Sequence, residues 1–192
     1  MIVFISDITN KTEAAAAKQL GADILCINPT LPRARQKGTV SLREAAKIAH
    51  FMAPVPILTE GFGDDPGLYM ELGSLSPDIV KLSAQYRTNA NFYRVFKMSA
   101  PDVKIMQTVS AAAPGDIELA VQLAWHCDYL FLQNSNPAIA KQIIMAVGVP
   151  VVIEGTGLDA EVIKQLDPYG VQLSLQSDKQ ALCDLCAAIH LL

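Results

Sequence analysis

The chain has 192 residues, of which 51% are hydrophobic and 18% charged, with a formal net charge of −4. This size suits one globular domain with a substantial core, and the lack of a basic run argues against nucleic acid as a partner. No apolar run approaches the roughly 18 residues that span a bilayer, and the opening MIVFISDITNK has no basic region or cleavage site, so we expect no membrane partner and a cytoplasmic location.

Short apolar runs rich in branched residues recur along the whole chain and predict eight strands. They cover residues 2–5, 23–27, 55–59, 78–82, 102–107, 128–133, 150–154 and 170–174. Segments with helical periodicity lie between them, and one of these begins with a capping box formed by Ser41 and Glu44. Four strands open with an aspartate directly after a helix end, and this repeats about every 24 residues. These aspartates are Asp23, Asp78, Asp102 and Asp128.

The alternation of strands and helices predicts the fold class. Strands that are apolar on both faces are typical of parallel strands covered by helices. Eight such units favour a single-domain (β/α)8 TIM barrel of the α/β class, spanning residues 1–192. An open doubly wound sheet is the alternative, but no glycine-rich fingerprint follows the first strand.

The strand ends of such a barrel converge on one mouth, where the chemistry gathers. Nearly every predicted strand ends in polar residues, so we expect a polar mouth. The residues at these positions are Ser6, Asp7, Asn28, Arg33, Glu60, Lys81, Ser83, Gln107, Gln133, Asn134, Glu154, Ser174 and Gln176.

Lys81 places a charge inside the apolar strand DIVKLSAQ. Alternation puts Lys81 and Ser83 on one face, and if that face is the lumen, the ammonium needs a carboxylate partner. Glu60, Asp7 and Glu154 are the candidates for that partner. Three roles for Lys81 stay open: a structural ion pair, an anion contact, and a Schiff-base nucleophile.

The stretch EGTGLDAEVI, residues 154–163, follows the seventh predicted strand. Its glycines free the backbone to turn amide hydrogens toward an anion at the start of the next helix, which predicts a phosphate site. Asp159 and Asp178, in the first turns of the last two helices, weaken such a site by repulsion. The predicted phosphate contacts are Gly155, Thr156, Gly157 and Ser174.

The last helical segment contains the only CxxC motif of the chain, Cys183 and Cys186. The motif has no second CxxC or histidine pair to complete a metal site. Spacing i, i+3 predicts that both sulfurs lie on the buried face of the helix as core residues. We therefore predict no metal and no cofactor.

Several segments resemble the phosphoribosylanthranilate isomerase family, single-domain barrel enzymes of tryptophan biosynthesis. FISDIT is similar to the family's opening KICGIT, and NPTLPR with GTVSLREAAKIA resembles its YPKSPR and VSPEQAREIA segment. DIVKLSAQ stands where the family has VVQLHGDE, and DYLFLQN resembles the segment ending LLLDT. PVVIEGTGLDAEVIKQLDPYGVQLS resembles the AGGL stretch and the following GVDVSSGVE, so the resemblance extends over nearly the whole chain.

The resemblance implies an Amadori isomerisation that uses a cysteine base on strand one and an aspartic acid on strand six. Ser6 and Gln133 stand at those positions, and neither side chain performs that proton transfer unaided. Arg33 matches the arginine that would hold a substrate carboxylate, and Gly155 and Gly157 match the phosphate loop. Ser83 replaces the histidine of strand four, and the glycine of the eighth loop is missing.

The sequence thus predicts an isomerase-like barrel that binds a small anionic, phosphorylated metabolite, while Ser6 and Gln133 argue against the parent reaction. One alternative is a non-catalytic ligand-binding relic of that family, and another is a Schiff-base lyase that uses Lys81. We expect a monomer or a homodimer. The candidate catalytic residues are Ser6, Asp7, Gln133 and Lys81, and the candidate substrate contacts are Arg33, Glu60, Ser83 and Glu154.

Overall fold

Strands and helices alternate along the chain in the computed structural model, which describes residues 1–30, 38–61, 65–84 and 90–190. The strands are β1 (Ile2–Ile8), β2 (Ile24–Ile27), β3 (Pro29–Thr30), β4 (Val40–Ser41), β5 (Ile57–Glu60), β6 (Ile79–Leu82), β7 (Lys104–Ser110), β8 (Tyr129–Gln133), β9 (Val151–Glu154) and β10 (Gly170–Ser174). The helices are α1 (Lys11–Gln19), α2 (Leu42–Met52), α3 (Pro66–Ser74), α4 (Ala90–Ser99), α5 (Gly115–Ala124), α6 (Pro137–Ala146), α7 (Ala160–Leu166) and α8 (Lys179–His190).

Eight of the strands close into a parallel barrel in the order β1-β10-β9-β8-β7-β6-β5-β2. The predicted (β/α)8 fold is therefore confirmed. The short strands β3 and β4 form a separate parallel pair in the loop region after β2. The sequence did not predict this pair, because two-residue strands carry no periodicity.

Polar side chains fix the starts of several helices. Ser41 caps α2 by accepting a hydrogen bond from the Glu44 amide at 3.2 Å, as its capping box predicts. Asp159 caps α7 in the same way through the Val162 amide, at 2.8 Å. These caps satisfy amides that have no partner inside the helix, and each contributes about 1 kcal/mol.

The aspartate repeat tethers neighbouring strands at the amino end of the barrel. In three cases the aspartate before one strand accepts a hydrogen bond of 2.8 Å from an amide of the preceding barrel strand. These bonds run from Val3 to Asp23, from Ile57 to Asp78 and from Ile105 to Asp128. Among the described contacts Asp102 makes no such bond. The repeat is thus a feature of the fold, at the end of the barrel opposite the mouth.

Lumen-facing side chains stack in layers of four, drawn from alternate strands, as is usual in these barrels. Strand register and alternation give two lower layers that are almost entirely apolar and three upper layers that bear polar groups. From the middle of the barrel toward the mouth these are the lysine layer (Cys26, Lys81, Phe131, Gln172), the acidic layer (Ser6, Glu60, Thr108, Glu154) and the rim layer (Asn28, Ser83, Gln133, Ser174).

Candidate functional site

Lys81 spans the lumen and has a partner for each of its three N–H donors. Its Nζ lies 3.0 Å from Glu60 Oε1, and it donates a hydrogen bond to Gln172 Oε1 at 2.9 Å. The same atom lies 3.5 Å from the centroid of the Phe131 ring. The side chain is only 3% exposed, whereas that of Glu60 is 21% exposed. This is the geometry of a structural ion pair that joins β6 to β5 and β10.

The two other roles of Lys81 find less support in this geometry. A ligand anion that binds the ammonium has to displace Glu60, Gln172 or the face of Phe131. A Schiff-base nucleophile needs a free lone pair and an open approach for the substrate carbonyl. Both require a rearrangement of the lysine layer.

A backbone irregularity brings the carboxylate of Asp7 beside two serines. The register of β1 shifts between Ile5 and Ile8, and Asp7 has a left-handed φ of 64°. Strict alternation points Asp7 away from Ser6, but the bulge turns it so that Ser6 Oγ donates to Asp7 Oδ2 at 3.3 Å. Ser174 Oγ also donates to Asp7 Oδ2. These residues form one hydrogen-bonded group at the mouth.

The second oxygen of Asp7 lies toward Gly38, just before β4. A methyl group built on Gly38 would be 3.7 Å from Asp7 Oδ1. No donor contacts Oδ1 among the described residues. Within the described ranges, Asp7 is thus oriented through one oxygen and has no donor at the other, which suits a general base.

Glu154 supplies a further carboxylate at the end of β9. Its Oε2 accepts a hydrogen bond of 3.3 Å from the backbone amide of Asn134. Asn134 follows Gln133 directly and has a left-handed φ of 51°. The backbone oxygen of Gln133 accepts from the Ala111 amide, while its amide side chain is half-buried at the rim.

The residues of the predicted phosphate loop have two different roles: Gly155 packs within the barrel, and Thr156 and Gly157 offer their backbone amides. Gly155 is buried, and its amide donates to the Gln172 backbone oxygen at 2.9 Å, within the barrel. A methyl group there would lie 2.3 Å from Val171 Cγ1, so close packing accounts for this glycine. Within the described part of the chain, the amides of Thr156 and Gly157 have no acceptor.

Gly157 is a glycine for a different reason. Its φ is +82°, and a methyl group built on it would meet no atom within 4 Å. The left-handed backbone therefore accounts for this residue. Thr156 and Gly157 are both exposed, next to Glu154 and at the carboxyl end of the barrel.

Gln107 does not belong to the mouth, although it stands near the end of a predicted strand. It is 1% exposed and outside the lumen, where its Oε1 accepts from Tyr93 Oη at 2.9 Å. Its Nε2 donates to the Ser83 backbone oxygen at 3.1 Å. The prediction was wrong because β7 continues to Ser110, which places Gln107 within the strand on its outer face.

Two polar residues of the lumen were not predicted from the sequence. Gln172 lies inside β10 and accepts from Lys81 across the barrel, and Thr108 lies in the acidic layer at 4% exposure. Lys81 was identified in the sequence as a polar residue within an apolar strand, and the same pattern could have identified Gln172 and Thr108. Thr108 Oγ1 and Asn28 Oδ1 are buried atoms without a hydrogen-bond partner in the described part of the chain.

The cysteines are free thiols. Cys186 is buried on α8 as predicted, but Cys183 is exposed, because residues three apart on a helix differ by about 60° in direction. Cys26 lies in the lysine layer, where burial raises the pKa of its thiol; Lys81 lowers that pKa, and Glu60 and Asp7 raise it further. Within the described ranges, no three His, Cys, Asp or Glu side chains are grouped to hold a metal ion.

Arg33, the predicted carboxylate contact, lies outside the described residues. None of the described helices has the length and apolar character needed to cross a membrane.

Comparison with known proteins identifies the same barrel in solved structures. No protein-family model and no curated protein sequence matches the chain. Monomers generated from the dimeric phosphoribosylanthranilate isomerase of Thermotoga maritima superpose with a TM-score of 0.81 at 18% identity, over 100% of both chains. Another phosphoribosylanthranilate isomerase structure, which holds reduced 1-(o-carboxyphenylamino)-1-deoxyribulose 5-phosphate, gives the same values.

Enzymes with other reactions share this fold as well. Orotidine 5′-monophosphate decarboxylase from Methanocaldococcus jannaschii matches with a TM-score of 0.66 at 12% identity, over 97% of both chains. At such low identity the likeness establishes the barrel fold, and function has to be argued from the residues at the mouth.

Proposed function

We propose that this protein is an isomerase-like barrel that binds a small phosphorylated metabolite at its mouth and does not catalyse the parent Amadori isomerisation. The observation that carries the proposal is the turn after β9, where two adjacent exposed residues, Thr156 and Gly157, have amides without an acceptor among the described residues. Amides in such a turn suit phosphate oxygens.

The position of this turn supports a phosphate ligand in particular. It follows a barrel strand at the carboxyl end, where the loops of strands seven and eight commonly hold phosphate in this fold. Ser174, at the end of the neighbouring strand, extends the polar surface, although its hydroxyl already binds Asp7. The isomerase neighbour with a bound 5-phosphate compound has the same barrel, which is consistent with this ligand class.

The residues at the two proton-transfer positions argue against the parent reaction. The single O–H of Ser6 lies 3.3 Å from both Asp7 Oδ2 and the Leu173 backbone oxygen and is shared between these two acceptors, and a hydroxyl is a far weaker acid than a thiol. Gln133 has no acidic proton. If this barrel catalyses a different proton transfer, Asp7 is the candidate base, because two serines contact its Oδ2 and no described residue donates to its Oδ1.

A Schiff-base lyase is the less favoured function, since the ammonium of Lys81 already has three partners. Borohydride reduction in the presence of a carbonyl substrate should leave Lys81 unmodified. A reduced adduct at Lys81, detected by peptide mass spectrometry, would instead favour the lyase.

The binding proposal is tested by calorimetric titration with reduced 1-(o-carboxyphenylamino)-1-deoxyribulose 5-phosphate. We expect saturable binding that Thr156→Asp weakens at least tenfold, because the new carboxylate repels the phosphate. Thr156→Asn is the matched control, with nearly the same shape and no charge, and should bind like the wild type. No binding, or equal binding by both variants, would contradict the phosphate site.

The catalytic part is tested by complementation. Expression in a tryptophan auxotroph that lacks phosphoribosylanthranilate isomerase should not restore growth, while a genuine isomerase expressed from the same vector does. Growth would show that Ser6 and Gln133 do not abolish the parent reaction.

A further inference from the structure

In the described part of the chain, the mouth of the barrel has more carboxylates than cations. Asp7, Glu60 and Glu154 bring three carboxylates to the acidic layer and its margin. Among the described lumen-facing side chains of the three upper layers, Lys81 is the single cation, and its ion pair with Glu60 uses that charge. Asp7 and Glu154 are left without a cationic partner in the described part of the chain.

The hydrogen bonds of these two carboxylates leave acceptors open. Asp7 receives its donors, Ser6 and Ser174, on Oδ2 alone. Glu154 receives its one described donor, the Asn134 amide, on Oε2. One oxygen of each carboxylate is therefore without a donor among the described residues.

Two buried oxygens of the upper layers also have no hydrogen-bond partner among the described residues. Thr108 Oγ1 lies in the acidic layer with Glu154, and Thr108 is 4% exposed. Asn28 Oδ1 lies in the rim layer, just after a different strand of the barrel. A buried oxygen that makes no hydrogen bond costs free energy, so a ligand group that donates a hydrogen to either oxygen would be stabilising. The open carboxylate oxygens and the amide oxygen are acceptors only, and the hydroxyl can also accept, so a ligand with several donors fits this set.

We infer that the ligand carries a protonated amine, which the open oxygens of Asp7 and Glu154 bind above the lysine layer. An alkylammonium has three N–H donors and one positive charge, and so satisfies both the acceptors and the charge of this region. The second group of the ligand, the phosphate, is taken from the proposed function, so this inference rests on that function. The ligand class is then an amino phosphate.

The spacing of the two sites fits a short compound. Glu154 and Thr156 are two residues apart, so their Cα atoms are separated by at most about 7 Å. A phosphate on the Thr156 amide and an ammonium at Glu154 can therefore belong to one small molecule. The ammonium also separates the phosphate from the carboxylates, which would otherwise repel it.

The test compares three probes by ¹⁵N NMR titration: O-phosphoethanolamine, propyl phosphate, in which a methyl group replaces the ammonium, and ethylammonium chloride. We expect O-phosphoethanolamine to bind at least tenfold more tightly than propyl phosphate. Glu154→Gln and Asp7→Asn should each reduce this ratio at least threefold. Glu71→Gln on the exposed surface of α3 removes the same charge far from the mouth and should leave the ratio unchanged.

The outcomes separate the two proposals. Equal binding of O-phosphoethanolamine and propyl phosphate overturns the ammonium site and leaves the phosphate site standing. Binding of ethylammonium that Glu154→Gln weakens, without binding of either phosphate, supports the ammonium site and overturns the proposed function. If Glu71→Gln lowers the affinity ratio as much as Glu154→Gln and Asp7→Asn do, the assignment to Asp7 and Glu154 is overturned. If none of the probes binds, both proposals are overturned.

Discussion

Replacement of Lys81 by methionine tests the interaction at the centre of the barrel. Lys81→Met keeps an apolar stem of similar length but removes the donor to Glu60 and Gln172 and the cation above Phe131. Loss of one member of a buried ion pair costs about 3–5 kcal/mol, because the other charge stays behind without a partner. Glu60 is 21% exposed and keeps some solvation. We therefore expect the lower end of this range, about 3 kcal/mol.

The assay is urea unfolding followed by far-UV circular dichroism. A loss of about 3 kcal/mol corresponds to a fall of about 6–12 °C in the melting temperature of a chain of this length. Lys164→Met, at an exposed lysine of α7, is the matched control and should change stability by less than about 0.5 kcal/mol.

A double-mutant cycle assigns the loss to the pair. Once Lys81→Met has removed the cation, Glu60→Gln removes a charge that has lost its partner. The double variant should therefore be more stable than the sum of the single effects predicts, by about 1–3 kcal/mol. Additivity within about 0.5 kcal/mol would refute the ion pair as the source of the stability. So would a Lys81→Met variant as stable as the Lys164→Met control.

Further predictions concern packing, the aspartate repeat and pH. Gly155→Ala should destabilise the fold by about 1–3 kcal/mol, because the added methyl group would lie 2.3 Å from a side-chain carbon. Gly157→Ala should cost only about 1 kcal/mol, because its backbone has a left-handed φ but open space around it. Equal losses of stability in urea unfolding would contradict this distinction. Asp78→Ala should lower stability by about 1–2 kcal/mol through loss of an amide tether, and Asp102→Ala, without such a tether, should be nearly neutral in the same assay. Burial raises the pKa of Cys127 to about 12, so its thiol stays protonated in the fold and ionises first in the unfolded chain. The free energy of unfolding should therefore fall as pH rises from about 9 toward 12. Cys127→Ala should remove up to about 1.4 kcal/mol per pH unit of that fall. If the variant has the same slope of unfolding free energy against pH as the wild type, the thiol is not linked to folding.

The barrel could be predicted from the sequence because its signals are local. Each strand is a short apolar run, each crossover has helical periodicity, and Ser41 with Glu44 marks a helix start through neighbouring residues. The aspartate repeat could be seen in the sequence, but its physical cause could not. The amides that bind Asp23, Asp78 and Asp128 lie about 20 residues earlier in the chain.

The mouth could be predicted only in part, because its contacts depend on backbone geometry and on closure of the barrel. Glu60 was one of three candidate partners for Lys81, and it faces Lys81 in register on the neighbouring strand. Gln172 is 91 residues from Lys81, and only the closed barrel brings the two together. Alternation along β1 could not anticipate the bulge that turns Asp7 toward Ser6.

Glycine in the phosphate loop shows how one residue type serves two purposes. Gly155 and Gly157 look equivalent in the sequence, and both predicted an anion site. The first allows close packing against β10, and only the second lies in the left-handed region. Sequence alone does not separate these causes, since the neighbours of Gly155 come from another strand.

The phosphate site is tested most directly by an NMR titration of the ¹⁵N-labelled protein with inorganic phosphate. The backbone amides of Thr156 and Gly157 should shift saturably, because hydrogen bonds to phosphate oxygens change their chemical environment, and the buried amide of Gly155 should shift less. If the Thr156 and Gly157 resonances remain in place at saturating phosphate, or if the shifts gather on another surface of the protein, the account of this mouth is contradicted.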